Sequence, residues 1–201
     1  YCAPILLTEP AISRNYDNVV TIESSDNEAD IYYTTDGSNP DENSSRYDKA
    51  FVFNKKGIIK AITYDPISKK KSDISMKELD LPKEYYQTSS SNKIFDGNTN
   101  SMVYLDIDEP IIITFKEEQN ISGFRYTPNQ MRDASRHIVD YEFYVDDVLI
   151  KKSSFGNIKN NPIEQVVKFK NIKGKEVKFV PKSNTDKAKN CGIAEFSVIT
   201  D

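Results

Sequence analysis

The stretch at residues 32–40, Tyr-Tyr-Thr-Thr-Asp-Gly-Ser-Asn-Pro, constrains the fold most, because it joins a strand pattern directly to a tight turn. Its first four residues are aromatic or β-branched, and such side chains suit the pleated, half-buried surface of a strand. Asp36-Gly37 then supplies the positive-φ chemistry that a hairpin turn requires. A second strand pattern follows at residues 57–64, whose side chains alternate between two faces. These features predict a small antiparallel β-domain.

The composition favours two small all-β domains over one large domain. The 201 residues include 12 Tyr and 10 Phe, an aromatic content typical of β-sandwiches, and no long helical period breaks the strand patterns. Pro82 prevents a regular strand from continuing, and a segment rich in Ser, Thr, Gln and Asn follows it at residues 85–92. We therefore expect one β-domain at residues 1–82 and a second at residues 83–201, each with its own modest core.

Strand patterns recur throughout the second half. They are found at residues 111–115, 121–127, 139–145, 148–153, 165–169, 177–181 and 195–199. Seven or eight short strands in about 115 residues predict an antiparallel sandwich or jelly roll.

Charge and hydropathy exclude two classes of partner. The net charge of −4 argues against nucleic acid, whose binding rests on concentrated positive charge. No apolar run is long enough to span a membrane. The chain begins at Tyr1 without a signal peptide, and we expect it to be a piece of a longer protein.

Cysteine and histidine usage gives little support for catalysis or for zinc. Cys2 and Cys191 fall in different predicted domains, so two separate thiols are expected, with a bridge between them as the alternative. The single histidine, His137, lies in a predicted surface loop without zinc-type spacing or a Gly-x-Ser-x-Gly turn. No carboxylate pair is set on the framework that a glycosidase needs. We expect no catalytic residue in this chain.

The first domain resembles a known accessory domain. Residues 32–40 and the Lys-Ala-Ile-Thr-Tyr segment at residues 60–64 are similar to recurring pieces of the immunoglobulin-like domain of bacterial chitobiases and β-hexosaminidases. In those and other secreted glycoside hydrolases, this domain follows the catalytic barrel. The resemblance covers residues 8–81 and implies an immunoglobulin-like β-sandwich.

The second domain resembles the discoidin, or coagulation factor 5/8 type C, fold. The resemblance rests on Ile-Phe-Asp-Gly-Asn at residues 94–98, Ile-Ser-Gly-Phe-Arg-Tyr-Thr-Pro at residues 121–128 and Gly-Ile-Ala-Glu-Phe-Ser-Val at residues 192–198. It spans residues 84–201 and implies a galactose-binding-like jelly-roll β-sandwich. In bacterial glycosidases this fold is the family 32 carbohydrate-binding module.

That resemblance implies a structural calcium ion and no organic cofactor. A hard cation gathers carboxylate, hydroxyl and carbonyl oxygens from converging loops. The implied ligands are side-chain oxygens of Asp96 and Glu195, Ser101 where the family usually has Thr, and the carbonyl oxygens of Phe95, Asn98 and Ala194. The alternative is that Asp96 only caps a turn and that Glu195 is an exposed strand residue.

The resemblance also implies a sugar site at one loop end of the sandwich. The candidate residues are Asn129, Arg132, Arg136, His137, Tyr104 and Asn190. Asn129 stands where the family usually has Arg, Ser135-Arg136 stands where it usually has Asn-Gly, and the chain has no Trp. The loop could hydrogen-bond vicinal hydroxyls or a carboxylate. The alternative is an ordinary solvated loop whose arginines pair with Asp133 and Asp140.

The order of the two domains implies a tail of a secreted or periplasmic bacterial glycoside hydrolase. Residues 3–14 resemble the exit from the catalytic domain in family 29 α-L-fucosidases, and a family 20 β-N-acetylhexosaminidase is the rival parent. The expected partners are the N-terminal catalytic domain of the same chain and terminal galactose- or fucose-type sugars. Two functions stay open: sugar binding, or bracing of the catalytic domain without sugar binding.

Overall fold

A computed structural model describes residues 6–131 and 134–201, which form two compact units divided between Asp80 and Leu81. Both units are built from β-strands, which confirms the predicted all-β fold class. Within these residues the helical segments are two short 3₁₀ turns, Lys83–Tyr85 and Asn92–Phe95. No helix in this part of the chain has the length and apolar character needed to cross a membrane.

The first unit is a sandwich of two antiparallel sheets. Its described strands, β1 to β8, are Ala11–Arg14, Val19–Glu23, Asp30–Thr34, Ser45–Arg46, Phe51–Val52, Gly57–Asp65, Lys70–Lys71 and Ser75–Leu79. One sheet has the order β1-β2-β5, and the other has the order β4-β3-β6-β7 with β8 also paired to β6. Val20 and Ile22 from the first sheet and Ile59 and Ala61 from the second sheet form the centre of the core.

The turn at Asp36-Gly37 forms, but the connection around it is longer than a tight hairpin. Gly37 has a φ of +82°, and Asp36 Oδ1 accepts a hydrogen bond from Ser38 N at 3.0 Å. The next strand, β4, begins only at Ser45. The prediction of positive-φ turn chemistry is confirmed, whereas the polar residues after the turn extend it into a loop.

The second unit has one continuous sheet network. Its described strands, β9 to β15, are Tyr86–Thr88, Val103–Asp106, Ile111–Pro128, Asp140–Val145, Val148–Ser154, Gln165–Pro181 and Asn190–Thr200. The order is β10-β15-β11-β14-β12-β13, and β9 pairs with β11. The paired strands are antiparallel and enclose a single hydrophobic core, as a jelly roll requires.

The prediction of separate short strands at residues 111–115 and 121–127 is wrong, because β11 runs through both, and β14 likewise runs through residues 165–169 and 177–181. The polar run at residues 116–119 suggests a turn in the sequence, but it stays within the strand at a register shift against β14. A second shift lies beside Gly123, where a Cβ atom would stand 2.2 Å from the carbonyl oxygen of Val167. These irregularities let long strands bend around the core.

Aromatic packing fixes the position of β15. The ring of Phe124 in β11 stacks on Phe143 at 4.9 Å and on Phe196 of β15 at 5.8 Å between centroids. Phe179 of β14 lies 5.0 Å from Phe196. Because β15 is anchored at Phe196, its first residue, Asn190, and its middle residue, Glu195, have fixed places at two separate parts of the unit.

Candidate functional site

Three of the predicted sugar-binding side chains meet at one end of the second unit. Arg136 Nη1 donates a hydrogen bond to Asn190 Oδ1 at 2.7 Å, and the guanidinium carbon lies 5.4 Å from the centroid of the Tyr104 ring. The spacing is within the range of a cation–π contact. Tyr104 belongs to the edge strand β10 and is 47% exposed. We call Tyr104, Arg136 and Asn190 the loop site.

The backbone of Arg136 is fixed in a conformation that is uncommon for an arginine. Its φ is +61°, in the left-handed region, which costs about 1–2 kcal/mol for a residue with a Cβ atom. Two hydrogen bonds hold it there: Arg136 N donates to Asp186 Oδ2 at 2.5 Å, and Gly192 N donates to the Arg136 carbonyl oxygen at 3.0 Å. Such strain at a non-glycine residue is common at functional sites.

Asn184 organises the loop before β15, and sequence reasoning missed it. Its Nδ2 donates to the carbonyl oxygens of Ala188 and Asn190 at 2.8 and 3.0 Å, and its Oδ1 accepts from the main-chain N–H groups of Asp186 and Ala188. The side chain is buried. The Ser-Asn-Thr-Asp composition of residues 183–186 is typical of a side-chain-capped turn and was the available signal.

Tyr126 joins the two segments that carry the loop site. It is 0% exposed, its hydroxyl donates to the Gly192 carbonyl oxygen at 3.2 Å, and the hydroxyl accepts from Ile138 N at 3.1 Å. Burial raises the pKa of Tyr126 well above its usual value, so the hydroxyl stays a neutral donor. A tyrosine in an apolar strand pattern looks like any core aromatic, so the sequence offers no signal for this role.

Two predicted sugar-binding residues are buried under the loop site. His137 is 3% exposed, so its prediction as a surface-loop residue is wrong; the neighbouring Ile138 forms a β-bridge with Asn184 that draws it inward. Burial lowers the pKa of His137, although the nearby Asp186 carboxylate opposes this. Asn129 is also 3% exposed, and its Oδ1 accepts from Met131 N at 2.9 Å. Both side chains support the loops from inside.

In the alternative prediction, the loop arginines pair with Asp133 and Asp140, and the structure describes Asp140. Asp140 accepts hydrogen bonds at 2.5 Å from the hydroxyls of Ser154 and Ser183, which lower the pKa of its carboxyl group. It is therefore not the partner of Arg136. Arg132 and Asp133 lie outside the described residues, so the part of the prediction that concerns them stays a prediction.

A second group of predicted residues meets around Ser101. The Ser101 hydroxyl oxygen lies 3.1 and 2.9 Å from the two carboxylate oxygens of Asp96, 2.9 Å from the Asn98 carbonyl oxygen and 3.2 Å from the Lys93 carbonyl oxygen. A hydroxyl has one hydrogen and cannot donate to four acceptors. The surroundings of Ser101 are therefore rich in oxygen and poor in donors. We call Asp96, Ser101 and Glu195 the carboxyl cluster.

Glu195 completes the carboxyl cluster from β15. Its Oε1 atom is buried and has no hydrogen-bond partner among the described residues. Burial, and then the neighbouring Asp96 carboxyl group, raise the pKa of Glu195 to about 8, although the N–H groups of Gly97 and Asn98 oppose the shift. The alternative that Glu195 is an exposed strand residue is wrong. Asp96 does cap its turn, because its Oδ1 accepts from Asn98 N at 2.8 Å.

The oxygen atoms of the carboxyl cluster are suitable ligands for a hard cation. The Glu195 Oε1 atom lies in the same cluster as a hydroxyl group and main-chain carbonyl groups. Calcium binds oxygen ligands of these three kinds. In residues 6–131 and 134–201 no three His, Cys, Asp or Glu side chains are grouped to hold a metal, so a cation here would need neutral oxygens as well. The carbonyl roles of Phe95, whose ring lies against Tyr86, and of Ala194, which is buried in β15, stay predictions.

Cys191, next to Asn190, is a free buried thiol. Its Sγ lies 3.4 Å from the Leu105 carbonyl oxygen, and burial raises its pKa to about 12, so the thiolate form is scarce at neutral pH. Cys2, its partner in the alternative prediction of a bridge, lies outside the described residues.

Comparison with known proteins identifies the family. The F5/8 type C domain model matches residues 80–196, more than half of the chain, and the chain belongs to this family. The model described as Fn3 associated matches residues 20–79. Among curated proteins, none matches the chain.

Several solved structures are similar in fold. One is a family 32 carbohydrate-binding module of Clostridium perfringens NanJ in complex with galactose, with 18% identity, a TM-score of 0.47 and coverage of 56% of this chain and 90% of that chain. Another is the C-terminal domain of a chitobiase from Bacteroides fragilis, with 16% identity, a TM-score of 0.49 and coverage of 60% and 97%. A third is a glycoside hydrolase 29 family member from an unknown rumen bacterium, with 18% identity, a TM-score of 0.44 and coverage of 63% and 23%.

Proposed function

We propose that this chain is a non-catalytic, carbohydrate-binding accessory region of a secreted or periplasmic bacterial glycoside hydrolase. The observation that carries the proposal is the assembly of Tyr104, Arg136 and Asn190 at one end of an F5/8 type C domain. A sugar offers apolar C–H surfaces for an aromatic ring and hydroxyl groups for charged or amide side chains, and the loop site presents these groups together.

The ligand we propose is a terminal sugar of the galactose or fucose type. Binding it would raise the effective concentration of glycan substrate near a catalytic domain in the same protein. The half-exposed Tyr104 favours this function over bracing alone, because a purely structural loop has no need for an aromatic ring presented to solvent beside a positioned arginine.

We infer that the parent enzyme is an α-L-fucosidase, from the resemblance of residues 3–14 to the exit from a family 29 catalytic domain. The catalytic domain of that protein is then the partner of this chain. The test is hydrolysis by the full-length parent protein: release of the aglycone from an aryl α-L-fucoside supports the proposal. Release from an aryl β-N-acetylglucosaminide instead would support the rival family 20 parent.

We also propose that the carboxyl cluster binds a structural calcium ion. When bound, the ion supplies positive charge to the Asp96 and Glu195 carboxylates and satisfies the buried Glu195 Oε1 atom. The role is to fix the loop around Asp96 against β15, with no part in chemistry.

The proposed sugar binding can be tested with a glycan array of the intact chain in calcium-containing buffer, followed by calorimetric titration of each glycan that binds. We expect binding that is lost in Arg136→Ala and in Asn190→Ala. Lys189→Ala is the matched control, because Lys189 is an exposed residue of the same loop whose main-chain carbonyl accepts from Ile107 N. Absence of binding to any glycan would instead support a bracing role.

A further inference from the structure

The guanidinium group of Arg136 is positioned, and no carboxylate of residues 6–131 and 134–201 pairs with it. Two other arginines, Arg46 and Arg125, each contact a carboxylate, at 2.7 Å from Asp30 and 3.8 Å from Glu164. Arg136 forms no ion pair with any residue in the described ranges, and a single N–H group of its guanidinium donates within them, to Asn190. Most of its donors are therefore not used by the described residues.

Asp186, which contacts the Arg136 backbone, forms no ion pair with this guanidinium. Asp186 directs Oδ2 to the main-chain N–H of Arg136 and to the Thr185 hydroxyl, and these two bonds lower the pKa of its carboxyl group. Lys187 and Lys189 follow in the same loop with exposed side chains. The loop site thus carries a positive charge in a chain whose net charge is −4.

The contact with Tyr104 changes what the loop site can offer to a ligand. The guanidinium lies over the Tyr104 ring, so part of the aromatic surface that would stack on a sugar is already covered. What remains is the N–H edge of a planar group that is held by an aromatic ring, an amide and a fixed backbone. A planar guanidinium edge matches the two oxygens of a carboxylate in spacing and direction.

We propose that the loop site selects a pyranose that bears a carboxylate, a hexuronic acid, over the corresponding neutral sugar. The inference rests on the proposed carbohydrate binding and specifies its ligand class. The carboxylate accepts from the free N–H edge of Arg136, and the ring hydroxyls bond to Asn190 and to the loop backbone. An O-sulfated sugar carries the same charge in a tetrahedral group, so the experiment includes one.

The test is calorimetric titration of the intact chain, in calcium, with two matched pairs of methyl glycosides. The pairs are galactoside with galacturonoside and glucoside with glucuronoside; each pair differs only in whether C6 is a CH₂OH group or a carboxylate. We expect the uronoside of the bound pair to bind at least about ten-fold more tightly at low salt, because hydrogen bonds to charged groups are roughly twice as strong as neutral ones. The ratio should fall as salt rises.

Each outcome has a defined meaning. Equal affinity for the neutral and acidic members of a pair overturns the hexuronic acid proposal and leaves carbohydrate binding in place. Tighter binding of galactose 6-sulfate than of the galacturonoside also overturns it, because the charge alone would then be recognised. No binding of any of these sugars overturns the hexuronic acid proposal together with the proposed galactose-type ligand, and the glycan array then decides whether another sugar binds.

Variants of Arg136 distinguish the effect of its planar guanidinium geometry from the effect of its positive charge. Arg136→Gln should bring the affinity ratio of the pair to about one, and Arg136→Lys, which keeps the charge but not the planar fork, should give an intermediate ratio. Lys189→Gln removes the same unit of charge from the same loop and should keep the full ratio. If Lys189→Gln lowers the ratio as much as Arg136→Gln does, general electrostatic attraction explains the preference and the proposal is overturned. Thermal melting of each variant shows that it is folded.

Discussion

The loop site and the carboxyl cluster take residues from the same strand but carry opposite charges. β15 supplies Asn190 to the first and Glu195 to the second, and these residues lie about 17 Å apart at the usual rise along a strand. The loop site has a cation whose backbone and aromatic neighbours are all in place. The carboxyl cluster has a buried carboxylate oxygen that no described residue contacts by a hydrogen bond.

This difference indicates how each site becomes rigid. Main-chain hydrogen bonds and buried polar side chains, among them Tyr126 and Asn184, hold the loop site without any added group. The carboxyl cluster has two acidic groups that share a small volume, and a cation would remove their mutual repulsion. We therefore expect the ion to control stability and the loop site to control binding, and the following experiments test that separation.

The largest expected effect is that of calcium on thermal stability. At a calcium concentration about 100 times the dissociation constant, binding should stabilise the protein by about 2.7 kcal/mol, which corresponds to a shift of roughly 10 °C in the melting transition of a domain this size. Differential scanning calorimetry with and without a chelator measures the shift. Asp96→Asn and Glu195→Gln should abolish it.

Glu118→Gln is the control for this calcium effect, because Glu118 is an exposed carboxylate of β11 on the same unit, 4.0 Å from Lys173. It should respond to calcium as the unmodified protein does. Equal melting temperatures with and without chelator would show that the carboxyl cluster holds no calcium.

The second effect is a pH dependence that appears when calcium is chelated. The folded-state pKa of Glu195 is raised from its ordinary value of 4.5 to about 8, so its contribution to stability is fully present below about pH 4.5 and is lost as pH rises through 8. In chelator, Glu195→Gln should therefore be more stable than the unmodified protein at pH 8.5. Chemical denaturation at pH 6 and pH 8.5 compares the two proteins. A Glu195→Gln variant that is the less stable of the two at pH 8.5 would contradict the raised pKa.

The third effect is that of the Tyr126 hydroxyl. Tyr126→Phe leaves the Ile138 N–H and the Gly192 carbonyl without their partner and should cost about 1–3 kcal/mol in the free energy of unfolding. Because both segments of the loop site depend on this hydroxyl, affinity for a bound glycan should also fall. Calorimetry of the folded variant measures that affinity.

Tyr141→Phe removes the same atom from another buried tyrosine of the same core, which faces Ser153 in the β12–β13 hairpin. It should lose stability without losing affinity. If both variants bind the glycan as well as the unmodified protein does, Tyr126 has a packing role alone.

The smallest effect concerns His137, the single histidine of the chain. Its pKa in the folded state is lowered from 6.5 by burial, so the neutral imidazole is favoured and stability is lost as pH falls below 6.5, where the unfolded chain takes up the proton. An NMR titration of the His137 ring protons should give a midpoint below 6.5. A midpoint at or above 6.5 would mean that the ring is solvated or paired with Asp186.

The sequence predicts the fold class and the residue types of both sites better than their geometry. Strand patterns are local, so most strands are found, but the polar run at residues 116–119 cannot be distinguished from a turn until β14 pairs with it. Asp96 and Glu195 are found because the resemblance of residues 94–98 and 192–198 to the discoidin fold brings these two segments together. The burial of the Glu195 carboxyl group depends on the loop that packs over it, and no local sequence pattern predicts that burial.

The loop site is less predictable for the same reason. Tyr104 and Arg136 belong to distant segments, and their contact depends on the left-handed backbone at Arg136, which an arginine in a sequence does not suggest. His137 is polar and follows a polar loop, which indicates exposure, but the bridge between Ile138 and Asn184 buries it. Tyr126 cannot be distinguished from its core neighbours by sequence alone.

Amide chemical-shift mapping tests the separation of the two sites most directly. Calcium and then the glycan that binds most tightly are titrated into the isotope-labelled chain. Calcium should shift the amides of Gly97, Asn98 and Glu195, and the glycan should shift those of Tyr104, Ile138 and Gly192. A glycan that leaves the amides around the loop site unchanged, or that shifts those of the carboxyl cluster instead, would contradict the assignment of sugar binding to Tyr104, Arg136 and Asn190.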